Sequence, residues 1–333
     1  MKTEVLFEEY RGDVLECQHS GMVCVVDEKG IAASAGSTDW TSFYRSASKP
    51  IQALPILIRG LDRKYGLTAE ETAIFSGSHW GDREHVRALE SIMDKTGLTE
   101  EQMIMLPTYP NRQEEKMRLL RANQPPRKAY HNCSGKHLGM MLLARELGEP
   151  VERYWVRDSL TQREILHCIS LMTDIPAENI RVGVDGCGVP VYAVPFRAIA
   201  TSYLRLARPE LIENEPLRTA VARNVELLHA HPNMIAGENI VCSVLTADPD
   251  LIGKSGALGV YALGIRSLGL GIAAKTMDGS HDEFAAAVLR VFQLLGYESG
   301  TVEKLRALYP DTIVNDNNEH VGCRKAVFSL KHQ

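Results

Sequence analysis

Apolar runs of strand length open and close this chain, and helical periodicities fill the stretch between them. Val14 to Cys17, Met22 to Val26 and Ile31 to Ser34 are short apolar runs. Gly21 and Asp27-Glu28-Lys29-Gly30 supply turns between them. Thr68-Ala69-Glu70-Glu71 and Thr99-Glu100-Glu101-Gln102 carry helix-start patterns in which a threonine and a later acid or amide satisfy orphan N–H groups reciprocally. Asp82 to Thr96 repeats apolar residues at helical spacing, Asn111 to Ala122 is a charged helix stopped by Pro125-Pro126, and Gly135 to Leu147 is strongly helical. One long helix is predicted over Val151 to Met172 and another over Glu215 to His229.

Strand character returns at Ile180 to Val184, which runs into Asp185-Gly186-Cys187-Gly188. Ser255 to Ile265 and Leu268 to Met277 read as paired strands, Phe284 to Leu295 as a closing helix and Ala326 to Leu330 as a final strand. Strands at both ends and helices between predict an α+β fold in which the terminal strands share one antiparallel sheet. No linker or repeat divides the chain, so a single domain is expected over residues 1–333. Its sheet would come from about 1–45 and 240–333, and its helical portion from about 46–235.

Composition narrows the function classes. The 333 residues are 44% hydrophobic and 24% charged, as in a globular protein. A net charge of −5 gives no nucleic-acid footprint. No stretch approaches the ~20 apolar residues of a membrane span. Glu4, Glu8 and Glu9 stand where a signal peptide would carry its apolar core, so the expected compartment is the cytoplasm. Seven scattered cysteines include no C-x-x-C, which leaves most of them to act as small buried hydrophobes.

The densest chemistry starts at Ser46-Ala47-Ser48-Lys49. Serine and lysine three residues apart share a helix face, and Pro50 fits the first helical turn. A neutral lysine there could take the serine's proton and make it a nucleophile. S-x-x-K is the first box of the penicillin-binding and β-lactamase enzymes, and two companions follow in the same order. Tyr130-His131-Asn132 has the Y-x-N pattern, and Lys254-Ser255-Gly256 is a conservative variant of K-T-G. Each pattern is common by chance; together they place a nucleophile, a proton acceptor and a second cation around one carbonyl.

Two further segments draw notice. Gly77-Ser78-His79-Trp80-Gly81 breaks an apolar helix end and offers Ser78 as a second nucleophile or hydrogen-bond donor. His131-Asn132-Cys133-Ser134-Gly135-Lys136-His137 opens a helix on which Cys133 and Lys136 share a face, and Asp185-Gly186-Cys187 offers a second thiol after a strand. Two thiolates and one more donor would suit zinc, although lysine must lose its proton to ligate.

Taken together, R-S-A-x-K at Arg45 to Lys49, S-H at Ser78-His79, N-C-S-G-K-H at Asn132 to His137, D-G-C-G-x-P at Asp185 to Pro190 and G-I-A-x-K at Gly271 to Lys275 resemble the L-asparaginase II family, typified by the inducible, thermolabile rhizobial enzyme. The match runs from about residue 14 to residue 330. The resemblance implies a fold similar to glutaminases and serine β-lactamases, usually in a homodimer. It also implies two Ser-Lys pairs in one site: Ser46 with Lys49, and Ser78 with a later lysine, placed at Lys254 with Lys275 as the alternative. It implies zinc held by Cys133, Lys136 and Cys187 with Asp185 close by, and no organic cofactor. Arg45, His79, Tyr130, Asn132 and Asp185 are the candidate substrate-binding residues. One departure is visible: the family's G-A-E-G appears here as Gly256-Ala257-Leu258-Gly259.

The expected activity is conversion of L-asparagine to L-aspartate and ammonia through an acyl-enzyme, with Ser78 or Ser46 attacking and a backbone N–H near either serine stabilising the oxyanion. A serine acylase or peptidase of the penicillin-binding type, and a non-catalytic metal- or amino-acid-binding relative, are the competing classes.

Overall fold

The computed structural model describes residues 1–280 and 284–332. The chain ends do meet in one antiparallel sheet, and the fold is α+β. Strand Glu4–Arg11 pairs with His320–Ala326 on one side and with Val14–Asp27 on the other. Val14–Asp27 passes the sheet on to Leu270–Thr276, which pairs with Val260–Ile265, which in turn pairs with Leu251–Gly256.

Two short runs and a presumed turn prove to be one 14-residue strand, Val14–Asp27. Gly21 lies inside it rather than between strands. A Cβ there would come within 2.0 Å of the Lys275 carbonyl oxygen, so the glycine answers a close backbone approach and not a change of direction. Leu251–Gly256 and Val260–Ile265 are likewise two strands of a hairpin where a single run over Ser255 to Ile265 was expected. The last strand of length is His320–Ala326, and only Lys331–His332 pairs beyond it.

The helix Phe196–Ala207 covers the middle of the sheet, where no helix was expected. Its Ser202 and Tyr203 hold the turn that carries the S-x-x-K box. Tyr44 donates to Ser202 Oγ at 2.8 Å, and Tyr203 donates to the Ala47 carbonyl at 2.8 Å, all fully buried. Helices Arg83–Thr96, Gln113–Arg121, Ser134–Glu146 and Glu215–Ala230 fall where their periodicity places them. The helix expected over Val151 to Met172 is interrupted. A short turn at Val151–Arg153 is followed by a helix that starts only at Leu160, where the Ser159 side chain accepts from the Gln162 N–H. No described helix is long and apolar enough to cross a membrane.

Candidate active site

Three lysines lie in the core, Lys49 with no exposed surface, Lys254 with 1% and Lys136 with 4%, and the first two have no described carboxylate partner. Burying an ammonium without a carboxylate is costly, and such groups concentrate where chemistry is done. Lys49 begins the helical turn Lys49–Gln52, and its side chain runs inward to the Gly77–Ser78 turn. Its Nζ donates to Gly77 O at 2.8 Å, to Ser78 Oγ at 2.9 Å and to Asn132 O at 3.1 Å. Burial, reinforced by the Lys136 and Lys254 charges and only partly opposed by Cys133 and Cys187, lowers its pKa to about 8.

In the structure the Lys49 amine lies against the Ser78 hydroxyl rather than that of Ser46. Residues Arg45–Ser48 form a tight 3₁₀ turn, not the opening of an α-helix, and the Lys49 side chain is drawn instead to the two carbonyls and the hydroxyl across the core. Ser46 faces the same cleft as Ser78, Asn132 and Lys254, and no described residue hydrogen-bonds its hydroxyl. The Ser78–Lys254 pairing also changes: Lys254 Nζ donates to Ser255 O at 2.9 Å, and Lys49 is the amine on Ser78. Burial again lowers the Lys254 pKa.

Strand Leu251–Gly256 carries Lys254 hard against the Ser46 turn. A Cβ at Gly256 would meet Tyr44 O at 2.5 Å and the Ala47 nitrogen at 3.3 Å, so only glycine permits this approach. Lys275, the alternative late lysine, is half-buried outside the cleft lining and donates to Leu258 O at 2.7 Å.

Of the five candidate substrate-binding residues, only Asn132 lines this cleft. His79 is fully buried: its Nδ1 accepts from the Gly81 N–H at 3.1 Å, so Nε2 donates to Ser134 Oγ at 2.7 Å. Burial pushes its pKa well down, and it acts as a neutral strut under the Ser78 turn. Tyr130 lies against the Arg127 guanidinium, 5.3 Å from its ring centre. Arg45 adopts a left-handed backbone (φ 51°), and its Nε donates to Asp185 Oδ1 at 2.9 Å, behind the cleft.

Asp185 belongs to a second buried cluster. Lys136 Nζ lies 3.1 Å from Cys187 Sγ and 3.6 Å from Asp185 Oδ2. Cys133 accepts a hydrogen bond from Cys187, which with the Lys49 and Lys136 charges holds its thiol far below the usual range against the opposing effect of burial. Burial disfavours the Lys136 charge, but Cys133, Cys187 and Asp185 outweigh it and raise its pKa. Two thiols, an amine and a carboxylate thus face one another in a dry pocket, a donor set that fits a thiophilic divalent ion once the protons between them leave.

Several residues at the site carry no sequence signal. Asn224, in the middle of a helix, donates to Pro50 O at 2.9 Å and accepts from Ser76 Oγ at 3.2 Å, tying both serine turns together. Trp80, Cys242 and Ser255 also line the cleft. The Ser78 N–H donates to Ile235 O at 2.8 Å and so is not itself free to serve as an oxyanion donor.

A buried lysine holding a serine hydroxyl at the mouth of a cleft, on this α+β frame, defines a serine–lysine amide hydrolase. The chain belongs to the L-asparaginase II family, whose profile matches residues 7–326. No curated protein matches it. Among solved structures it is similar to a class C β-lactamase from Rhodobacter sphaeroides (15% identity, 86% of this chain and 94% of that one, TM-score 0.42). It is also similar to a β-lactamase from Mycobacterium bovis (15% identity, 82% and 94%, TM-score 0.37). A third is titled "Probable glutaminase from Bacillus subtilis complexed with 6-diazo-5-oxo-L-norleucine" (14% identity, 86% and 82%, TM-score 0.35).

The family departure falls away from the chemistry. Leu258 sits at φ 60° with its side chain 57% exposed, and it does not line the cleft. A leucine in this left-handed region costs roughly 1–2 kcal/mol, which glycine avoids at an entropic cost of about 0.5–1 kcal/mol. Leu258→Gly is expected to leave the midpoint of thermal unfolding unchanged or slightly raised and amide hydrolysis unaltered. A large loss of turnover with the fold intact would show that this side chain reaches the reaction.

Proposed function

We propose that this protein hydrolyses the side-chain amide of L-asparagine to L-aspartate and ammonia, with Ser78 as nucleophile and Lys49 as its base. The observation that carries the reading is the 2.9 Å contact between Lys49 Nζ and Ser78 Oγ. The neutral amine has two N–H bonds, and Gly77 O and Asn132 O accept them. Its lone pair is then directed at the Ser78 hydroxyl. Ser78 Oγ attacks the amide carbon as its proton passes to Lys49. Lys254 and Ser46, on the facing wall, return a proton to the departing nitrogen, and the Ser46 side supplies hydrogen bonds to the oxyanion. Water then cleaves the ester, releasing the acid and regenerating the hydroxyl.

Ammonia release from L-asparagine, L-glutamine and nitrocefin opening, measured side by side, tests the substrate class. Turnover confined to nitrocefin would replace the reading by a penicillin-recognising acylase. Binding of asparagine without turnover would replace it by an amino-acid-binding relative.

Cys133, Lys136 and Cys187 would hold zinc, with Asp185 beside it, where the ion would supply charge for anchoring a polar substrate group. Binding confined to the folded state contributes about 2.7 kcal/mol at a hundredfold excess over Kd. Dialysis against a chelator is therefore expected to lower the melting midpoint by about 5 °C, and zinc to restore it. Cys133→Ser should show neither change; a chelator-insensitive wild type would remove the ion from the proposal. The same family membership brings an expected homodimer, open to sedimentation.

A further inference from the structure

The cleft that begins at the two serines has a volume of about 1430 Å³. Sites for whole drug-sized ligands span about 300–1,000 Å³, so one free amino acid leaves most of this space unfilled. Past Lys254, Ser255 and Cys242 the walls turn apolar, through Ala285, Leu289, Tyr309, Pro310 and Val327. The described residues that line this far part include four cations, Arg290, Arg306, Arg324 and Lys325, and one carboxylate, Asp311.

Two of the four are paired with acids, Arg306 with Glu298 at 3.1 Å and Arg324 with Glu9 at 2.7 Å, and the Lys325 ammonium lies 4.5 Å from the Tyr10 ring centre, opposite Glu8 on the neighbouring strand. Arg290 differs. Its Nε and Nη2 donate to Phe328 O at 3.1 and 3.0 Å, and its Nη1 donates to Gln293 Oε1 at 2.7 Å, all neutral acceptors. It is half-buried, and no described carboxylate pairs with it. A guanidinium held in a partly dry wall and left without an anion favours a carboxylate ligand through charge-assisted hydrogen bonds.

We propose that the cleft accepts amides whose leaving amine carries an extended, partly apolar group ending in a carboxylate, and that Arg290 receives that carboxylate. The inference rests on the reading of Ser78 as nucleophile and Lys254 as the amine facing the departing nitrogen, since that reading puts the space past Lys254 on the leaving-group side. The bond chemistry is unchanged. Ser78 Oγ bonds to the acyl carbon, the C–N bond breaks, the serine's proton ends on the leaving amine, and water then releases the acid.

Three probes separate the possibilities: L-asparagine, the β-anilide of L-aspartate, and its β-(4-carboxyanilide), followed by release of ammonia, aniline or 4-aminobenzoate. The carboxyanilide is expected to show kcat/KM at least tenfold above the anilide. Arg290→Gln should erase that advantage through KM, Arg290→Lys should keep part of it, and asparagine turnover reports that the serines remain assembled. Ala286→Trp, which narrows the far cleft, should suppress both anilides and spare asparagine, so the test survives if Arg290→Gln does not fold. Anilides that stay inert while asparagine is cleaved, or a carboxyanilide no better than the anilide, overturn the proposal alone. A chain inert toward all three overturns the serine–lysine reading and this inference with it.

Discussion

Ser78→Ala is expected to lower the amide-hydrolysis kcat by about 10⁶-fold, the order of loss when the nucleophile of a nucleophile–base unit is removed. Ser46→Ala is expected to cost less, about 10²-fold, as for a single proton-relay or oxyanion donor. The asymmetry follows from the placement of the buried amine. Lys49 Nζ contacts the Ser78 hydroxyl, whereas no described residue hydrogen-bonds Ser46 Oγ. The two members of the unit act together, so Ser78→Ala combined with Lys49→Met should be no slower than either alone. Both variants keep the turn, because the Ser78 N–H to Ile235 O bond and the His79 strut do not involve the serine hydroxyl. Mass spectrometry of a quenched reaction should find the acyl mass on the peptide containing Ser78. Finding it on the Ser46 peptide, with Ser46→Ala the slower variant, would reverse the two roles.

Much of this site is legible in the sequence because its parts are local. The Thr68 capping box and the helix opening at Ser134 follow from short-range rules of hydrogen bonding and periodicity, and both stand where those rules put them. Gathering Cys133, Lys136, Cys187 and Asp185 needed more than periodicity. Spacing relates the first two, and the resemblance in Asn132 to His137 and Asp185 to Pro190 supplied the rest.

What local rules miss is which partner a long side chain chooses across the core. The three-residue interval between Ser46 and Lys49 is correct for a helix face, yet a lysine side chain spans several ångströms and follows the best set of acceptors. Gly77 O and Asn132 O are contributed by segments 28 and 83 residues away, invisible to any spacing argument. His79 lies outside the cleft lining for a related reason. A histidine next to a candidate serine looks chemical in one dimension, whereas adjacent side chains diverge, and this one turns into the core. Asn224 is the converse case, a mid-helix asparagine whose two tertiary hydrogen bonds give it no local mark.

The pH dependence of the reaction is the second large effect, and its direction follows from the burial of Lys49. The base must be neutral to accept the Ser78 proton. Burial lowers its pKa to about 8, so kcat/KM is expected to rise tenfold per pH unit below that value and to level off above it. At pH 6 the rate should stand about a hundredfold below the plateau. Lys49→Arg, which keeps a charge but cannot lose its proton near neutrality, should be as inactive as Lys49→Met across the whole range. Stability shifts in the same sense. The unfolded chain's lysine keeps its proton up to about pH 10.4, while the folded one sheds it near 8, so the unfolded state binds more protons between those limits. Folding stability from this group is therefore complete above the upper limit and is lost as pH falls through about 8, by about 3 kcal/mol in all. Wild type and Lys49→Met compared by denaturant unfolding at pH 7 and pH 10 separate this effect from the loss of the three Lys49 hydrogen bonds, because only the charge penalty changes with pH. A rate flat from pH 6 to 9 in wild type would mean that the Ser78 proton goes to some group other than Lys49.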